Sequence, residues 1–87
     1  MHPAHPDRDA ARRAIVDLLD HRGDGKTICP SEAARALANG DEFRQHMELV
    51  RDVAWELAAE GVIEVTQRGE PVASGAARGP IRLRRRP

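Results

Sequence analysis

Cysteine, lysine and long apolar runs are all scarce in this chain, and each scarcity closes a class of explanation. The single cysteine, Cys29, cannot form an internal disulfide and cannot by itself build a cysteine-based metal cage. The cytoplasm is the compartment that this usage predicts. No apolar run approaches the length of a membrane span, so no membrane partner is expected. The opening residues Met1-His2-Pro3-Ala4-His5-Pro6 have no apolar segment after them, so they are not read as a secretory leader. Thirteen of the fourteen basic residues are arginine, a bias assigned to genome composition rather than to function. At 87 residues there is room for one modest core and little for an enclosed enzyme cavity beside it.

What is present is sorted by sign. Residues 1–66 hold eight basic and thirteen acidic side chains; residues 67–87 hold six arginines against Glu70 alone. The formal net charge of zero therefore conceals an acidic body and a basic end. Such a chain can attract a polyanion through one end while remaining neutral as a whole.

Periodicity divides the chain into short elements. Residues 1–7 are expected to be a flexible tail, residues 8–84 a folded domain and residues 85–87 a basic tail. Asp7 caps a helix running to about Arg22, with Ala11, Ile15, Leu18 and Leu19 on its apolar face. Lys26–Cys29 reads as a brief strand. Ser31 is the expected cap of a short helix from Glu32 to about Ala38, which buries Ala33, Ala34 and Leu37. Asp41 caps the longest helix, about Glu42 to Glu60, whose stripe is Phe43, Met47, Val50, Ala54, Leu57 and Ala58, with Val53 at the margin. Val62–Thr66 and Ile81–Arg84 alternate as strands, joined by a long hairpin loop over residues 67–79. This order predicts a mainly α winged helix-turn-helix: three helices and a two- or three-stranded wing.

Several stretches carry a resemblance in register. They are Gly25–Leu37, Phe43–Met47, Ala58–Gly69 and Ala77–Leu83. Together they resemble the bacterial domain-of-unknown-function family numbered 3253, from about residue 10 to residue 84. The resemblance implies a small bacterial domain of winged-helix type and carries no activity with it. Some relatives resemble fusions to a short cysteine-rich, zinc-finger-like part. With only Cys29 here, no zinc is carried over.

Catalytic signals fail on inspection. Gly25-Lys26-Thr27 resembles the end of a phosphate-binding loop, but the glycine needed five positions earlier is Asp20. Cys29 has no His–acid pair at a telling spacing, so it reads as a small core residue. His2, His5, His21 and His46 share no i, i+4 ligand spacing. No catalytic residue, metal or cofactor is expected, and the chain is not read as an enzyme. The helix in the recognition position carries two cations against six acids between Asp41 and Glu60, a poor surface for a phosphate backbone.

Two surfaces remain. Arg68, Arg78, Arg82, Arg84, Arg85 and Arg86 form a candidate nucleic-acid contact for DNA or RNA, of low affinity and without sequence specificity. The alternatives are edge-strand protection and pairing of Arg82 or Arg84 with Glu64. Arg44, Arg51 and Trp55 fall on one side of an ideal helix, at about 60–100° from Ala54, and form a candidate protein-interaction patch. The competing reading of that patch is an intrahelical Arg51–Trp55 cation–π contact.

Overall fold

The computed structural model describes residues 7–38 and 40–87. The tail expected over residues 1–7 lies, apart from Asp7, outside them. The chain runs α1 (Arg8–Arg22), β1 (Thr27–Ile28), α2 (Pro30–Leu37), a 3₁₀ helix (Gly40–His46), α3 (Met47–Ala59), β2 (Ile63–Gln67), β3 (Glu70–Pro71) and β4 (Arg82–Arg85). Three helices pack on one small antiparallel sheet of order β1-β4-β2-β3, a winged-helix-like arrangement. None of the described helices is long and apolar enough to cross a membrane.

Local chemistry sets the element ends. The Asp7 carboxylate accepts from the Ala10 N–H at 2.9 Å, which satisfies one free amide of α1. At the other end Gly23 has φ of 102° and its N–H reaches the Leu19 carbonyl at 3.0 Å. Ala11, Ile15 and Leu19, four residues apart, form the fully buried stripe of α1. Leu18 is half-buried and faces a shallow groove against α2, so it belongs to the edge of the core. The cap of α2 is Cys29 rather than Ser31. Pro30 takes the first helical turn, where its missing N–H costs nothing, and the Glu32 carboxylate accepts from the Cys29 N–H at 2.9 Å.

The long helix expected over 42–60 is two pieces. Its first two turns are 3₁₀, and His46, at φ −105° and ψ 1°, separates them from α3. A 3₁₀ helix advances about 120° per residue instead of about 100°. Phe43 still joins the buried core, and it sits under Arg35 of α2, whose guanidinium carbon is 4.3 Å from the ring centroid. Val50, Val53, Ala54 and Leu57 form the buried face of α3.

Sheet register places Ile28, Leu83 and Val65 side by side on the inner face. All three are essentially fully buried, as are Ile63 and Ile81. The segment expected as one long loop contains a tight hairpin. Gln67 pairs with Glu70 across Arg68 and Gly69, which have φ of 54° and 81°. Positive φ at both central positions is what a two-residue hairpin of matching twist requires. The chain then crosses back over the end of β2 to reach β4, giving four strands where two or three were expected. Pairing also outlasts residue 84: β4 ends at Arg85, and the Arg86 N–H donates to the Val62 carbonyl at 3.2 Å.

Candidate nucleic-acid interface

The six arginines of the basic end divide between two grooves. Arg84, Arg85 and Arg86 line the first, with Asp24, Gly25 and Pro87. There Arg84 Nε donates to Glu64 Oε1 at 2.8 Å across the β2–β4 pair, and Arg85 is paired with Asp20 of α1. Two of its three cations are thus already neutralised, and Asp24 adds an acid to the lining.

Arg68, Arg78 and Arg82 line the second groove, of about 580 Å³, with Gln67, Ala76 and Pro80. No carboxylate lines it. Arg68 stands exposed at the hairpin tip, placed there by the turn. Arg82 projects from the outer face of β4, opposite buried Leu83 in the strand alternation. Its Nε donates to Thr27 Oγ1 at 3.0 Å and its Nη2 to the Thr27 carbonyl at 3.4 Å, so the side chain is braced, and it lies close enough to the Glu32 carboxylate to help lower that group's pKa. The brace is itself anchored. Arg22 donates to the same Thr27 carbonyl at 3.0 Å and is ion-paired with Glu32. The hydrogen bond from Arg22, then that from the Cys29 N–H, holds the Glu32 carboxyl below its ordinary pKa.

Arg78 is placed by a residue that sequence reading missed. The Gln67 side-chain amide donates to the carbonyls of Arg78 (2.5 Å) and Pro80 (2.9 Å), and its oxygen accepts from the Arg78 N–H at 3.2 Å. One amide thus uses donor and acceptor ends together to clamp the returning strand connection onto β2. The Arg78 guanidinium folds along its own loop, toward the carbonyls of Gly75 and Ala77. No local pattern marks Gln67, because its partners are 11 and 13 residues away.

The recognition-position helix is occupied elsewhere. Glu56 pairs with Arg8, and Glu60 receives two bonds from Arg12, at 2.8 and 3.0 Å. These contacts fasten α3 to α1 and hold the Glu60 carboxyl below its ordinary pKa, chiefly through the Arg12 hydrogen bond. Among the described residues, Asp41, Glu42, Glu48 and Asp52 are exposed and in no ion pair, so the outer side of this region is acidic.

The Arg44–Arg51–Trp55 patch also changes. Arg44 lies in the 3₁₀ helix, where the α-helical projection that grouped it with Arg51 and Trp55 does not hold. The cation–π contacts among the described residues fall on Phe43, from Arg35 and Arg44, and not on an Arg51–Trp55 pair. Trp55 is half-buried and borders a small cleft with Ala58, Ala59, Val72, Ala73 and Ser74.

A family model described as a protein of unknown function (DUF3253) matches residues 8–86. The chain belongs to the DUF3253 family. No curated protein matches it. The DUF3253 match begins at the first residue of α1 and ends one residue past β4, so all three wing arginines and Gln67 lie inside the family domain.

Proposed function

We propose that this DUF3253 chain is a non-enzymatic nucleic-acid-binding module of the bacterial cytoplasm that grips a phosphate backbone with its wing. The observation that carries the reading is the convergence of Arg68, Arg78 and Arg82 on one groove whose lining holds no carboxylate. Backbone phosphates are held by such side chains without any reading of sequence. The acidity of the 3₁₀–α3 region argues against insertion of that helix into a major groove, since like charge beside phosphate is repelled. Arg84 and Arg85, bound to Glu64 and Asp20, contribute less than their number suggests. Docking of a protein partner through Arg44, Arg51 and Trp55 is the weaker alternative, because Arg44 lies in the 3₁₀ helix, where the α-helical projection that grouped the three does not hold.

The reading predicts weak, sequence-tolerant and salt-sensitive binding, with a dissociation constant of about 10⁻⁴–10⁻⁶ M at physiological salt. Fluorescence anisotropy of labelled DNA tests it. The double variant Arg68→Glu, Arg78→Glu should lose at least about tenfold in affinity at low salt. Replacing Arg85 and Arg86 by Ala, which leaves the backbone pairing of β4 in place, should cost less. The opposite ranking would overturn the assignment to the wing groove.

A further inference from the structure

We infer that the wing groove is a preformed seat for the phosphates of a duplex backbone and ranks duplex above single-stranded nucleic acid. The inference rests on the nucleic-acid reading above and makes that reading more specific.

Three features lead to it. First, the groove is built before any ligand arrives. Gln67 clamps the strand connection at Arg78 and Pro80, Thr27 braces Arg82, and the two-residue turn sets Arg68. A rigid seat suits a rigid ligand, because neither partner then loses much conformational freedom on binding. A flexible single strand must be ordered against the same seat.

Second, proteins that hold single strands without sequence preference recover that ordering cost by stacking bases on aromatic side chains. This chain has one phenylalanine, one tryptophan and no tyrosine. Phe43 is buried under Arg35 and Arg44, and Trp55 borders the separate cleft against Val72 and Ala73. The lining of the arginine groove is Gln67, Arg68, Ala76, Arg78, Pro80 and Arg82. It can neutralise phosphates but offers no ring for a base to stack on.

Third, with aromatic stacking unavailable, the main remaining attraction is electrostatic, and it favours the ligand of higher linear charge density. Duplex DNA carries one charge per about 1.7 Å of axis, more densely than a single strand.

The test is anisotropy titration of the intact chain with a labelled random duplex and with a single strand of mixed sequence and equal length, across a salt series. The duplex should bind about five- to tenfold more tightly at low salt, with a logarithmic salt slope of about −3 for three neutralised phosphates. The Arg68→Glu, Arg78→Glu variant should lose the preference along with the affinity. Equal or tighter binding of the single strand would overturn the duplex inference and leave the nucleic-acid reading standing. A duplex preference that survives in the variant would also overturn it, since the preference would then arise outside this groove. Failure of both ligands to bind at low salt would overturn the nucleic-acid reading itself.

Discussion

At the scale of single residues, the wing depends on side chains whose partners are remote in sequence. Gln67 makes three hydrogen bonds to the backbone of Arg78 and Pro80. Gln67→Ala removes all three at an exposed site, at a cost of about 1–2 kcal/mol in loop stability. Amide hydrogen exchange should speed up at Arg78 while the β2–β4 ladder stays protected. DNA affinity should fall although every arginine is retained. Gln67→Glu keeps the acceptor for the Arg78 N–H but cannot donate to the two carbonyls, so it should not restore binding. Glu32 makes a second residue-scale prediction. Its carboxyl is held below the ordinary value by Arg22 and by the Cys29 N–H, so the ionised form is favoured in the folded state. A lowered folded pKa adds stability above the unfolded value of about 4.3, and that stability is lost as pH falls through the folded value. Acid titration of wild type and Glu32→Gln should therefore converge at low pH and diverge near neutrality, with wild type the more stable.

At the scale of elements, β4 is the strand on which the sheet depends. It lies between β1 and β2, and Leu83 is fully buried between Ile28 and Val65. Leu83→Ala should cost about 2–5 kcal/mol by chemical denaturation, a large share of the stability of so small a domain. The existence of α1, α2, α3, β2 and β4 was legible in the sequence because burial on one face leaves a period of 3.6 or 2 in the residue order. Two features were not legible. The 3₁₀ helix ahead of α3 preserves an apolar spacing that suits an α-helix almost as well, since Phe43 reaches the core from either geometry. The β3 hairpin turns on Arg68-Gly69, where the usual signal for such a turn is Asn-Gly or Asp-Gly. The cap of α2 was misplaced by two residues because Ser31 is the better capping side chain, whereas Pro30 in the first turn moves the start back to Cys29.

At the scale of the whole molecule, folding redistributes the charge that the sequence separates. The acidic body and the basic end meet: Asp20 takes Arg85 and Glu64 takes Arg84, leaving a smaller cationic surface than six arginines suggest. The expected salt slope is accordingly nearer about −3 than the −5 or steeper that a wholly free cluster would produce. Arg8 and Arg12 likewise draw Glu56 and Glu60 onto α1, while Asp41, Glu42, Glu48 and Asp52 stay exposed along the 3₁₀ helix and the first half of α3. The sequence by itself determined the helices, the two principal strands, the buried stripes and the location of the arginines, because these depend on neighbours within about one or two turns of chain. The tertiary structure alone decided which arginines share a groove, which are ion-paired, that Trp55 borders a cleft with Val72 and Ala73 and that Gln67 clamps the wing. Those outcomes depend on contacts between residues far apart in the chain, which exist only once the sheet order β1-β4-β2-β3 brings them together.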